Sequence, residues 1–482
     1  MLQARYTILL FLVIIIEGYV VLSTELLAIR QSIPFVGSGT DTVSIIIASV
    51  LMPLALGYQV GGHFKPVRIF GKIINIRKKL ILNISISALI LLPGLSYKFL
   101  SWFFPFLTEL GISNRLGQTA VYSVLFIVIP VYLLGQTVPL VSNFFNKEHL
   151  AKITGKILFF STVGSFLGAI LSTLVLMSTI GVNHTVTLNF VLLAILVISL
   201  AKKKNSAPVI LTFMVALMAI GINSNGTMRS FRFVKLNEYH NISVLSLKNG
   251  DNHLLLNDNY SSRYNRETGG KHKYIEFAER VAILPIMGSP VPKDILVIGA
   301  GGFTFGHQDK KNTYTYVDID KDLKNISEKY ILGEPIGENK KFEATPARAF
   351  LSSTNQKYDV IYLDAYLGGV SVPEHLITRE FFQEIKSRLK DKGILVTNFI
   401  TSPNFNNVFS RSLDNTLRSV FLHISRHVIM ENYLLWNDDP ANMSNIAYIY
   451  RHRDDYDAGH IYTDNKNTVF YDTPKSKFVA DQ

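Results

Sequence analysis

The chain has 482 residues, 48% hydrophobic and only 17% charged, below the ~25% charged share usual for soluble domains. Its net charge of +12 is uneven: residues 1–223 hold 16 Lys and Arg against 5 Asp and Glu, the remainder 32 against 31. A basic surplus confined to the apolar half excludes a nucleic-acid-binding stripe, and the absence of Cys excludes disulfides, thiolate metal sites and a Cys nucleophile.

Seven apolar stretches, at 6–29, 43–62, 80–97, 119–142, 157–180, 182–201 and the shorter 207–222, predict a multi-spanning α-helical membrane bundle over residues 1–223. The first is too long for a signal peptide, carries Glu17 and Glu25 and shows no small-residue cleavage site, so it is read as a retained span. The aromatic segment 99–110 predicts a helix at the membrane interface. Arg5, Lys65–Lys79, Lys147–Lys156 and Lys202–Lys204 crowd one side, against Arg30, Lys98 and Arg115 on the other. The positive-inside rule then predicts a cytoplasmic N-terminus, and seven spans predict residues 224–482 outside. Glu17 and Glu25 leave two readings open: a proton or cation pathway, or carboxyls that pair with Arg30 or stay neutral and hydrogen-bonded. Gly164, Ser165, Gly168 and Ala169 predict close helix approach.

Beyond Asn223 the pattern changes. Runs at 242–247 and 253–256, joined by Asn249-Gly250-Asp251, predict a small β-hairpin region, followed by a helix at 274–284; together they form a lead-in over 224–290. From 291 on, strands at 294–298, 314–318, 358–363 and 393–399 alternate with helices at 321–330 and 378–389. That rhythm predicts a Rossmann-like α/β domain with a doubly wound parallel sheet and ligands beyond the carboxyl ends of its strands. A last helix at 405–420, strands around 423–429 and 445–450, and a mobile polar tail from Arg451 complete the chain. The 12 His have no ligand-like spacing, so no metal is expected.

Three strand ends carry candidate chemistry. Gly299-Ala300-Gly301-Gly302-Phe303-Thr304 follows the first strand, and Asp318 ends the second, 19 residues beyond Gly299. Glycines permit a tight turn and close ligand approach, and an acid at that spacing accepts hydrogen bonds from ribose hydroxyls. A nucleoside-binding loop and a plain structural turn both fit this pattern. Asp364 ends the third strand, where it either takes the proton of a substrate amine or caps a turn. Asp359 opens that strand and reads as structural; Asp320 reads as the cap of the helix after Lys321.

These strand ends resemble the spermidine synthase (polyamine aminopropyltransferase) family. Asp294–Thr304 resembles its nucleoside loop, Tyr316–Asp320 its ribose-binding strand, Tyr358–Ala365 the strand ending in the catalytic Asp, and His375–Phe382 the segment that follows. Tyr274-Ile275-Glu276 is similar to its Tyr-His-Glu segment. Glu25–Arg30, Leu133–Gly135 with Pro139, and Ser161–Ser165 resemble the multi-spanning region of bacterial membrane-fused members, which implies a bacterial inner membrane with the bilayer as partner.

The resemblance implies aminopropyl transfer from decarboxylated S-adenosylmethionine to an amine, with Asp364 and Tyr274 catalytic. Gly299, Gly301, Gly302 and Asp318 would bind the nucleoside, with no metal. It implies small nucleoside and amine ligands, no nucleic acid, and a homo-oligomer, since soluble members are often dimers. Four departures remove charge or reverse it. Gly302 or Phe303 replaces an Asp at the donor's aminopropyl end, and Pro346 replaces an adenine-contacting Asp. Leu367 replaces a second acid, and Gly270 and Lys271 replace acids before Tyr274, where Lys271 would repel a cationic ligand. Two alternatives stand beside this reading. One is a non-catalytic membrane module, either a transport-like bundle or a sensor with a degenerate synthase domain. The other is a methyltransferase using intact S-adenosylmethionine.

Overall fold

The computed structural model describes residues 2–37, 39–69, 72–145, 150–366, 372–429 and 443–452. Leu367 and the tail beyond residue 452 lie outside them. The apolar half folds into helices α1 (Leu2–Val36), α2 (Thr40–Gly62), α3 (Ile76–Gly94), α4 (Tyr97–Glu109), α5 (Arg115–Ser142), α6 (Lys152–Met177), α7 (Val182–Leu200) and α8 (Ala207–Ile222). Among the described residues, five of these are long and apolar enough to cross a membrane, six if the pair α3 and α4 counts as one bent span. That pair turns by 67° just past Pro93, where the ring removes a donor from the helical ladder. The expected seventh span, α8, has 16 residues and rises only about 24 Å, against a hydrocarbon core of ~30 Å. The expected interfacial helix is α4, whose Phe103, Phe104 and Leu107 are buried while Trp102 is exposed.

Glycines set the tightest helix contact. A side chain at Gly164 would collide with the Ile15 carbonyl, one at Gly168 with that of Tyr19, and one at Gly18 with Ser161. α1 and α6 therefore meet backbone to backbone, with Ser23 and Ser172 hydrogen-bonded across the seam at 2.7 Å. Glu17 is buried there with neither carboxyl oxygen hydrogen-bonded. Arg30 does not pair with Glu17 or Glu25 as one reading expected. It leaves the bundle, donating to the Asn237 carbonyl and to Asn241 Oδ1, both at 2.9 Å.

Short strands β1 (Val67–Ile69) and β2 (Lys72–Ile74) form a hairpin between α2 and α3. Beyond the bundle, β3 (Phe233–Leu236), β4 (Asn241–Ser246), β5 (Asp251–Leu256) and β6 (Asn259–Asn265) make an antiparallel meander. The expected two-stranded hairpin is its centre. β6 went unread because Asn-Tyr-Ser-Ser-Arg-Tyr-Asn has no apolar alternation, and its turn uses Asn257 and Asp258, both at positive φ, without a glycine.

The large sheet comprises β7 (Asp294–Ile298), β8 (Thr313–Asp318), β9 (Lys340–Ala344), β10 (Tyr358–Leu363), β11 (Leu389–Thr401), β12 (Ser425–Ile429) and β13 (Ser444–Arg451), in the order 12-13-11-10-7-8-9. Strands β9, β8, β7, β10 and β11 run parallel; β13 lies antiparallel beside β11, and β12, antiparallel to β13, ends that side running with the rest. The purely parallel expectation is thus corrected to a mixed sheet, in the Rossmann-like, methyltransferase-type arrangement. Its central strands are buried on both faces, which is why they read as unbroken apolar runs. From β7 the chain steps outward one way through β8 and β9, and the other way through β10 and β11. The crevice at that reversal, between β7 and β10, is where ligands bind in such sheets.

Candidate active site

A cavity of about 620 Å³ opens at the carboxyl ends of β7, β8, β10 and β11 and is roofed by the meander. Gly299 turns the chain out of β7 at φ +90°, and a side chain there would collide with the carbonyl of Asp364. Glycine is therefore what allows the ends of β7 and β10 to touch. Gly301, at φ +48°, lies under Ser262 of β6. Gly302 does not line the cavity: it packs on Ser262 and donates its N–H to that hydroxyl at 2.8 Å. Phe303 turns its ring into the core against Tyr316 and Phe342, so Thr304 lines the cavity in its place.

Asp318 receives the Ala300 N–H at 2.9 Å and the Asp320 N–H at 3.1 Å, one on each oxygen. Burial pushes its carboxyl up, against those two hydrogen bonds and the nearby His240. Asp320 does more than cap a turn. Completely buried, it pairs with His240 Nδ1 at 2.8 Å and accepts from Asn237 Nδ2 at 2.8 Å. Burial pushes that carboxyl up, but these partners outweigh burial and hold it below its ordinary value. Since Asn237 also receives Arg30, one buried polar chain runs from α1 to the Asp318 loop.

Asp364 ends β10 inside the cavity. Asn398 Nδ2 donates to it at 2.9 Å and the Tyr362 hydroxyl at 3.1 Å. The Tyr274 hydroxyl stands between two acceptors, the Asp364 carboxylate and the Ser261 carbonyl at 3.0 Å. Burial pushes the Asp364 carboxyl up to about 6 in spite of these donors, because none of them is a cation. A carboxylate so placed is ionised at neutral pH and still basic enough to receive a proton. Asp359, at the opposite end of β10, accepts from the Asp294 N–H and from Lys390 and plays the structural part expected of it.

The cavity thus brings together Asp364, Tyr274, Gly299, Gly301 and Asp318 and leaves out Gly302. Pro346 lines it where the helix Ala347–Ser353 begins. Lys271 does not repel anything there: it is buried in an ion pair with Glu279 at 2.5 Å, away from the lining. Sequence reasoning missed Asn398, although a polar residue near the carboxyl end of an apolar strand was a usable signal. It also missed His253, Arg263 and His272, which reach the cavity from the meander and from the start of the next helix. Among the described residues, no group of three or more His, Cys, Asp or Glu is arranged to hold a metal ion.

Residues 275–433 match the family model described as the spermine/spermidine synthase domain. The C-terminal part of the chain carries a spermidine synthase domain. Over 156 residues the chain is 34% identical to the polyamine aminopropyltransferase of Vibrio vulnificus, covering 30% of this chain and 48% of that protein. Over 182 residues it is 28% identical to that of Pyrobaculum calidifontis, covering 34% and 58%. The chain spans about half the length of these curated relatives, and the segment matched by the family model includes Asp318 and Asp364. The spermidine synthase of Thermotoga maritima is 18% identical with a TM-score of 0.34, covering 46% of this chain and 73% of that one.

Proposed function

We propose that the chain is a membrane-anchored transferase that moves the aminopropyl group of decarboxylated S-adenosylmethionine to an amine. The observation that carries this reading is Asp364: a partly buried carboxylate, unpaired with any Lys or Arg among the described residues, that shares one cavity with the Gly299 turn and Asp318. No metal is needed. The donor's sulfonium already makes the adjacent methylene electrophilic, so the protein's task is to hold a neutral amine in line with it.

An alkylammonium loses its proton only near pH 10 in water. In the cavity Asp364 attracts the ammonium, receives its proton and passes it to solvent. The freed nitrogen lone pair forms the C–N bond as the C–S pair returns to sulfur, and methylthioadenosine leaves uncharged. Tyr274 and Tyr362 hold Asp364 and orient the amine; Asp318 receives the ribose hydroxyls, and Gly299 and Gly301 let the backbone lie close to the nucleoside.

Support for membrane anchoring comes from the five or six long apolar helices. The α/β region contacts the bundle through Arg30 near the end of α1, Thr40 at the start of α2 and Tyr97, which meets Asp258. These points lie at the opposite helix ends from the N-terminus and Lys202–Lys204. That favours a cavity across the membrane from the basic, cytoplasmic face, to which donor must then be supplied. Paired topology reporters after Asn223 test the orientation apart from the chemistry. The chemistry is tested by methylthioadenosine release from the purified full chain. Release that survives Asp364→Asn defeats the assignment of Asp364.

A further inference from the structure

The two poles of the cavity differ in charge. Among the described residues, the acidic ones that line it are Asp318 and Asp364, both at the strand ends. The pole formed by the meander is lined instead by His253 and Arg263, directly opposite each other on β5 and β6, and by His272. A row of rings joins the poles: Tyr274, beside Asp364, stacks on His272 at 5.5 Å and 16°, and His272 lies 6.1 Å from His253. His253 is nine-tenths buried with Nδ1 unpartnered, and His272 Nε2 and Arg263 Nε are also buried without a hydrogen-bond partner.

The charges around this pole are mixed but lean positive. Asp251 and Glu276 lie near enough to act on the two rings, yet neither lines the cavity. Burial, then the neighbouring His253 and Arg263, push His272 down to about 4, so its ring is neutral at pH 7 and offers an N–H. A diamine acceptor carries a second ammonium, and here that ammonium would meet a guanidinium and two imidazoles, with no carboxylate among the described lining residues to receive it.

Resting on the transferase reading above, we infer that the acceptor is an amine bearing a carboxylate. Its nitrogen sits at Asp364 and its carboxylate at Arg263, His253 and His272. A guanidinium fork matches a carboxylate in geometry and charge, and the imidazoles add neutral donors. In the reaction the amine gives its proton to Asp364, the C–N bond forms and the C–S bond breaks. The products are an N-aminopropyl amino acid and methylthioadenosine.

Matched probes test this: putrescine against 4-aminobutyrate, and 1,5-diaminopentane against 5-aminopentanoate, each pair differing in one terminal group. Calorimetry on the purified full chain with methylthioadenosine present is expected to show the aminocarboxylate binding at least tenfold tighter than its diamine. Arg263→Gln should shrink that preference to twofold or less, and Arg263→Lys should restore part of it. A diamine that binds as well or better, or no binding by any of the four, overturns the inference. Methylthioadenosine release separates the two readings. Release driven faster by the diamines sinks the carboxylate-binding pole and keeps the transferase; a binding preference for aminocarboxylates without any release keeps the pole and sinks the transferase.

Discussion

At the amino ends of β7 and β10, Asp294 and Asp359 share the Lys390 ammonium at 2.6 and 2.8 Å, and Lys293 approaches Asp359 at 3.5 Å. At the carboxyl ends of β10 and the nearby β8, Asp364 and Asp318 accept hydrogen bonds only from neutral donors. Burial acts on both sets. At the amino ends the lysines outweigh it and hold Asp359 below its ordinary value; at the carboxyl ends nothing does, and Asp364 rises to about 6. One type of side chain is thus a charged strut at one end of the sheet and a more basic carboxylate at the other, and the neighbouring cation makes the difference.

The sharpest way to break that comparison is to remove each charge in turn. Asp364→Asn keeps the shape of the cavity but cannot take a proton, and general-base losses run from 10²- to 10⁴-fold. We expect methylthioadenosine release to fall about 10³-fold in Asp364→Asn and to stay within about twofold in Asp359→Asn. Equal losses at the two ends would mean that Asp364 is structural as well. Next in size is Gly299→Ala, which must take φ +90° and meet the Asp364 carbonyl. It should cost about 2–3 kcal/mol, read as a thermal midpoint lower by roughly 5–10 °C.

Asp320 sharpens the comparison from within, being an acid at the carboxyl ends that does have a partner. Asp320→Asn removes the charge that faces His240 and unsettles Asn237, which holds Arg30. A loss of about 2 kcal/mol is expected, with weaker nucleoside binding at Asp318 and unchanged dependence on acceptor concentration. An equal change in both would place Asp320 in the acceptor site.

How much of this was legible depended on which physical signal each element carries. The central strands announced themselves because burial on both faces demands apolar residues, and Asp318 and Asp364 stood out where those runs stop. β9 and β6 did not, because Lys340–Ala344 is an edge strand with partly exposed positions and β6 roofs a cavity with Ser and Arg. Gly301 and Gly302 are equivalent in sequence and both lie against Ser262, and only the folded chain shows that Gly301 borders the cavity while Gly302 spends its N–H on the Ser262 hydroxyl. Lys271 was misjudged for a related reason: its partner Glu279 is eight residues away, and which side the ammonium faces is settled by helix packing. Pairing of Arg30 with local carboxylates is one of the readings the sequence leaves open, because its actual partners lie more than 200 residues on.

The smallest effect is the dependence of stability on pH, and its sign differs at the two ends. The Asp364 carboxyl is raised in the folded chain, so its favourable contribution is complete below the ordinary value near 4 and is lost as pH rises through about 6. Asp359 is lowered, so its contribution is present above the ordinary value and is lost as pH falls through the depressed one. Asp364→Asn should therefore be more stable than the parent chain by about 1–2 kcal/mol at pH 8, with the gain vanishing below about pH 4. Asp359→Asn should be less stable by about 1 kcal/mol at pH 7, the deficit also closing in acid. Thermal midpoints of the two variants between pH 4 and 8 measure both. Activity supplies an independent check on Asp364, since the base must be ionised: turnover should climb as pH rises through about 6. If Asp364→Asn instead destabilised at pH 8, a cation outside the described residues would be holding that carboxylate, and the contrast between the two ends would collapse.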